Sequence, residues 1–429
     1  MKKFLSAALA LIFIISTSTQ THAISTDSKV SVQEEWKTTS GYEYPLTPTD
    51  SEWASLSYSE QLDACNMPAG MLSSCSTEDL ADLVLEYPFI GDILAFNTAD
   101  LAINHLISTS NICKEFFSRD NSIDVLISKY DTLNVDYNQL QDTSNATAIV
   151  DSGYMAELFL QTYFAYAIHT LTDSQIQKVS EVIGKKFEAK KGICDDFATS
   201  LLIYDWVQLK EGAVPRELVP ENIEVELTSS EDNLTAVEAE TNSSQPRAAS
   251  GFTSSGKLVQ FPIANAGGIY TVGTYTLYGK TVGCYRYYSN DYTTSEATLV
   301  NNDFDNRHPS WTRVSTCTKK YNCHSYTWIN SSTSNIYWLN NPDFFAGSSS
   351  FTYVGNQNTA SLSSGDKIII NSAIPSNDGF GNTTYAVHSA NVLSSSGSTK
   401  SKLGACGVYI VPVDELLHLY SGFYYSIYR

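Results

Sequence analysis

Lys320-Tyr-Asn-Cys-His-Ser-Tyr-Thr-Trp328, then Ser364-Gly-Asp-Lys-Ile-Ile-Ile370, then Tyr385-Ala-Val-His-Ser-Ala-Asn-Val-Leu393 are the stretches whose order decides the fold of the C-terminal part of the chain. The first reads as a helix opened by Cys323, with small and aromatic residues alternating so that one side can pack on a sheet. A thiol at a helix start gains from the partial positive charge of unpaired N–H groups, which lowers its pKa. A buried structural thiol fits this stretch alone equally well. The second stretch is a turn on Gly365 leading into a strand, and the third a strand begun by His388, sixty-five residues after Cys323. If both strands lie beside the helix, His388 can take the thiol proton as a general base. Cys323 and His388 are therefore the candidate catalytic pair.

Outward from these residues, Gly268 to Tyr278, Phe351 to Val354 and Gly407 to Val411 are short Tyr-, Val-, Thr- and Ile-rich runs punctuated by glycine. Residues 257–429 thus read as an α+β module, one helix inserted among mostly antiparallel strands. Its tyrosine clusters, Tyr285 to Tyr288 and Tyr420 to Tyr428, read first as cross-strand packing pairs and second as a surface for stacking on sugars. Residues 211–256 carry nine acids between Glu211 and Glu240 against one base, Arg216, with Pro215, Pro220 and Pro246. Such a stretch buries too little apolar area to fold alone and reads as an acidic linker.

Residues 51–210 carry helical periodicity. Ser76-Thr-Glu-Asp79 places a hydroxyl at an N-cap and a carboxylate three residues on, ahead of Leu80, Leu83, Val84 and Tyr87, and Pro88 stops the helix. Further runs at Ile93 to Ile107, Ile123 to Tyr130, Tyr154 to Leu171 and Phe197 to Leu209 predict an all-helical N-terminal domain of about six to eight helices. His105 and His169 read as packed or surface side chains. Before this domain, Lys2-Lys3, an apolar run from Phe4 to Ile15, and Thr21-His22-Ala23 read as a secretory signal peptide, residues 1–23, with residues 24–50 as an N-terminal segment. The apolar run is too short to span a bilayer and no later one is better, so no membrane span is expected.

The chain has 46 acids against 26 Lys and Arg, a net charge of -20, which argues against nucleic acid or anionic lipid as a partner. Its eight cysteines, at 65, 75, 113, 194, 284, 317, 323 and 406, lack metal-ligand spacing, so no metal site is expected. Gly192-Ile-Cys-Asp-Asp-Phe-Ala198 has the look of a transglutaminase-like catalytic helix. The next histidine is His308, more than a hundred residues on, so Cys194 reads as a core thiol.

A helix-borne Cys, a Ser-Gly-Asp strand and a strand opened by His-Ser-Ala, in that order, resemble the papain-like amidohydrolases of NlpC and CHAP type, exported bacterial enzymes that cut amide bonds in peptidoglycan. Tyr321-Asn-Cys-His-Ser-Tyr326, Asn335-Ile-Tyr-Trp338, Asn341-Pro342 and Ser401-Lys-Leu-Gly404 are similar to an uncharacterised group of secreted proteins from Gram-positive bacteria. The resemblance implies a papain-like α+β module with an antiparallel sheet, Cys323 as nucleophile, His388 as base, no cofactor, a secreted or cell-wall location, and peptidoglycan or another cell-surface peptide as partner. The rival class is a secreted surface-interaction protein that keeps the fold without turnover. In these families a polar residue on the strand after the histidine orients the imidazole. Here Lys400 to Gly407 offers no His, Asn, Gln or acid, and Asn391, three residues after His388, falls on the opposite strand face. His324 projects about 100° from Cys323 on the helix and reads as a supporting or surface residue. His308 reads as a turn residue before Pro309, and His418 has no evident partner.

Overall fold

The computed structural model describes residues 42–168, 170–190, 193, 251–260, 269–289 and 291–429. The signal-peptide reading, Cys194, His169 and the linker reading up to residue 250 lie outside the described residues. Strand begins already at Gly251, inside the segment read as linker.

From Tyr58 to Lys190 the described elements are α1 (Tyr58–Ala64), α2 (Ala69–Leu72), α3 (Thr77–Leu85), α4 (Ala99–Thr109), α5 (Asn111–Phe117), α6 (Ser122–Thr132), α7 (Ala148–Asp151), α8 (Tyr154–Ala167) and α9 (Asp173–Lys190), with short 3-10 turns between them. These nine helices are more numerous and shorter than the periodicity predicts. Ser76 caps α3 as read, with Asp79 closing the capping box. The run from Ile93 to Ile107 is broken: a 3-10 turn, Ile90–Ala95, ends where Phe96 turns extended, and the Thr98 side chain accepts from Leu101 N to start α4 afresh. Asn97 is left in the gap. Helix α8 is buried nearly all round, as an apolar helix without a polar face should be. Its Glu157 meets Lys190 of α9 at 2.9 Å, so the buried carboxylate has its counter-charge.

After residue 250 the strands are β1 (Gly251–Gln260), β2 (Ile269–Leu277), β3 (Lys280–Ser289), β4 (Thr312–Ser315), β5 (Tyr337–Trp338), β6 (Tyr353–Asn356), β7 (Lys367–Asn377), β8 (Thr383–Val392), β9 (Ser398–Lys402), β10 (Val408–Pro412) and β11 (Tyr424–Tyr428). They form two antiparallel sheets, ordered β1-β2-β3-β5 and β4-β10-β9-β8-β7-β11-β6. Among the described residues four helices, not one, join them: α10 (Thr294–Arg307), α11 (Cys323–Trp328), α12 (Asp343–Ala346) and α13 (Val413–Leu419). The mixed α+β class follows directly. His388 stands in the middle of β8 rather than at its start, because β-branched and aromatic residues from Thr383 onward already pair with β7. The tyrosines pack across strands in part: Tyr270 and Tyr287 are registered opposite each other with ring centroids 6.1 Å apart, while Tyr288 stays exposed.

Residues Tyr42–Arg429 are one compact unit, and a single core runs from Trp53, Phe89 and Phe96 to Phe304, Ile370 and Tyr409. Polar contacts stitch the helices to the large sheet. Trp53 Nε1 donates to Arg307 O at 3.0 Å, Tyr420 OH to Ala95 O at 2.8 Å, and Ala405 N to Leu94 O at 2.8 Å. Asp92 is held by Arg307 and by His308 Nε2, the latter at 2.8 Å, and Arg307 also pairs with Asp303 at 2.7 Å. The approach is close enough to demand glycine: a Cβ at Gly404, whose φ is +43°, would lie 2.4 Å from Ala95 C.

Candidate active site

Helix α11 starts where its sequence says it should. Asn322 is extended, its side chain accepts from Ser325 N at 3.1 Å, and its amide donates to Leu339 O at 2.6 Å, tying the helix start to the chain leaving β5. The helix packs on β8 and β9. Cys323, its first residue, is 1% exposed. Burial pushes the thiol up to about 11, against the opposing pull of hydrogen bonds from the Asn97 side chain and from the Ser389 and His324 backbones, and of the Lys402 charge. The thiol therefore sits against the backbone of the residue next to His388.

His388 is fully buried, its ring stacked on Tyr420 with centroids 3.9 Å apart. Its Nε2 lies 2.5 Å from Ser401 Oγ on the neighbouring strand β9. Ser401 Oγ also donates to Ser389 O at 3.0 Å. A hydroxyl has one proton, so with that proton on Ser389 O the oxygen must accept from His388, which places the imidazole proton on Nε2. Nδ1 then carries the free lone pair, and it has no hydrogen-bond partner among the described residues. Desolvation, helped by nearby His324, holds the imidazole well below its ordinary value. Thiol and imidazole are thus both neutral at rest, and no hydrogen bond joins them among the described residues.

Ser401 stands in the segment that, on residue type, offered no orienting group. The last registered pairs of β8 and β9, Asn391 with Lys400 and Val392 with Thr399, place Ser401 opposite Ala390, on the strand face that His388 shares. Alternation along β9 was the signal that would have found it. Asn391 lies on the other face as read, its amide bonded to Ser331 and its oxygen accepting from Lys367. His324 is buried rather than on the surface, its Nδ1 2.8 Å from Ser389 Oγ, which also accepts from Trp328 Nε1 at 3.1 Å. His308 ends α10, bound to Asp92 and stacked on Trp311. His105 is packed, as read, and His418 is exposed.

Two further residues complete the surroundings. Asn97, from the break between the 3-10 turn and α4, donates Nδ2 to Cys323 Sγ at 3.4 Å. Nothing in the helical sequence marked it. Lys402, next to Ser401, is buried, with no carboxylate in hydrogen-bond contact among the described residues; Nζ donates to Thr318 O at 3.0 Å and to Gly404 O, and burial brings its pKa down to about 8. Among the described residues no group of three His, Cys, Asp or Glu side chains is arranged to hold a metal ion, and no helix is long and apolar enough to cross a membrane. No family model, no curated protein and no solved structure matches the chain.

Proposed function

We propose that the chain is a secreted cysteine-dependent amidohydrolase with a papain-like module, acting on an amide bond in cell-wall peptide. The observation that supports this reading is the state of His388: its Nε2 proton is committed to Ser401, its Nδ1 has no hydrogen-bond partner among the described residues, and the next residue in sequence, Ser389, has its backbone against the Cys323 thiol. In this reading Sγ of Cys323 attacks the carbonyl carbon while Nδ1 of His388 takes the thiol proton. The imidazolium keeps its Nε2–H on Ser401 and passes the new proton to the leaving amine. Water, deprotonated by the same Nδ1, then cleaves the thioester and restores the thiol. In this reading the backbone N–H of Cys323 and the amide of Asn97, which donates to Sγ, hold the developing oxyanion. Because burial raises the thiol and lowers the imidazole, proton transfer accompanies attack and does not precede it.

A second reading is favoured by one observation: both side chains are buried, Cys323 against Asn97 and His388 against Tyr420, itself bonded to Ala95 O, so substrate reaches them only if these neighbours move. A surface-interaction protein that kept the fold would have no need of access.

Incubation with purified peptidoglycan peptides separates the two. New amino groups should appear, Cys323→Ala and His388→Ala should each abolish them, and Ser401→Ala should lower kcat about 10- to 100-fold with little change in KM. Absence of cleavage by the wild type, with Cys323 alkylation unchanged in His388→Ala, would overturn the enzyme reading.

A further inference from the structure

Helix α13 ends in a Schellman turn: Gly422 N donates to Leu417 O at 2.8 Å and Ser421 N to His418 O at 3.2 Å. Within it Ser421 takes a φ of +46°, the left-handed region where a helix end ordinarily carries glycine. The turn itself needs no side chain at that position, so a serine there stores strain for something its hydroxyl does. Ser421 is exposed, and its Oγ lies 3.3 Å from Nδ1 of His105 on α4. The other side of that imidazole is furnished as well. Nε2 lies 3.5 Å from the hydroxyl of Tyr58, the first residue of α1, and this hydroxyl donates to Oδ2 of Asp92 at 3.4 Å. His105, Tyr58 and Asp92 are all buried. A carboxylate paired with Arg307 only accepts, and a phenol has one proton. With that proton on Asp92, the phenol oxygen accepts from Nε2–H, which leaves the lone pair of Nδ1 to the Ser421 hydroxyl. Ser108, three residues after His105 on α4, sets its Oγ 3.0 Å from Ser421 Oγ.

We propose that Ser421 is the nucleophile of a second, ester-cleaving site, with His105 as its base and with Tyr58 and Asp92 orienting the imidazole. Neither Cys323 nor His388 takes part in it. Ser421 Oγ bonds to the carbonyl carbon of the ester while Nδ1 of His105 takes the hydroxyl proton, and the Ser108 hydroxyl holds the carbonyl oxygen. The bond to the alkoxy oxygen breaks, and the alcohol leaves with the proton from Nδ1. Water then attacks the acyl-serine, gives one proton to Nδ1 and through it to Ser421 Oγ, and the acyl group departs as the carboxylic acid. Burial brings His105 down to about 3, so the imidazole is neutral at rest and a modest base. Such a base suits esters of acidic alcohols, phenols above all, rather than amides, whose leaving group demands far more. Phe423, two residues on and 71% exposed, offers an apolar ring to the substrate.

The test uses the full chain carrying Cys323→Ala, so that no turnover by that thiol contributes. A fluorophosphonate, which phosphonylates activated serines, is added at neutral pH, and the digested peptides are weighed; cleavage of p-nitrophenyl acetate is followed in parallel. The phosphonyl group should be found on Ser421 and not on Ser108. Adding His105→Gln should slow both labelling and cleavage about 100-fold, and Tyr58→Phe, which keeps the ring and removes the link to Asp92, about 10-fold. Ser421→Gly relieves the positive φ, so it should abolish labelling and cleavage with a Tm no lower than that of its parent. An unlabelled Ser421, labelling as fast in His105→Gln as in the parent, or cleavage undiminished in Ser421→Gly would each overturn the assignment and leave Ser421 as a helix cap.

Discussion

His105, His308, His324 and His388 are buried, and desolvation is the first cause that lowers each: His105 and His324 come down to about 3, the other two well below the ordinary value. An imidazole freed on unfolding titrates near 6.5, so below that pH the unfolded chain binds protons the folded chain refuses. The contribution of each neutral imidazole is complete above about pH 6.5 and drains as pH falls toward its folded value, at up to about 1.4 kcal/mol per pH unit. Asp303, raised to about 7 by burial, works the other way over the same window, one group against four. Urea denaturation should therefore show stability falling from pH 7 to pH 5, with a shallower fall in His105→Gln; stability flat or rising over that interval would contradict the burial of these rings. Cys323 and His388 stand out in the sequence as residue types in the order Cys then His. Ser401 does not, because a serine among Ser and Lys residues carries no mark until the register of β9 shows which face it occupies.

Among the elements, the join that matters most is that between the 3-10 turn Ile90–Ala95 and the end of α10. Arg307 lies between Asp92 and Asp303, all three buried. Removing the cation leaves two carboxylates in a low-dielectric setting, so Arg307→Met should cost about 3–5 kcal/mol even though the methionine refills much of the space. The partly exposed i,i+4 pair Arg119–Glu115 is the control, and Arg119→Met should cost less than about 1 kcal/mol. Equal small losses in urea denaturation would mean that Arg307 merely decorates the join. Strand existence and the capped start of α3 could be read from alternation and from Ser76 with Asp79, since both are local signals. The break at Phe96 to Thr98 was hidden within an unbroken apolar periodicity, because what enforces it is the approach of Gly404 and Tyr420 from more than three hundred residues away.

At the scale of the molecule, composition marks a linker between two segments, but the core does not respect that division. The helices offer Trp53, Phe89, Phe96 and Asp92 to partners on α10 and the large sheet, and Asn97 reaches the Cys323 sulfur. Limited proteolysis should still cut first between Glu211 and Ser250, ahead of β1, where the sequence is rich in acids and prolines. The pieces should nevertheless remain together. Separating them would expose Arg307, Asp92 and the apolar side chains around them to water and unpair the backbone contacts at Leu94 and Ala95, a loss that cutting the chain does not repay. Gel filtration of the nicked protein in native buffer should give one peak at the size of the intact chain, splitting only when urea is added. Cys323 should stay slow to alkylate in that peak, since the thiol keeps its cover and its raised pKa. Two peaks in native buffer, with rapid alkylation of Cys323 in the C-terminal piece, would mean that the helices rest on the module without forming part of its core.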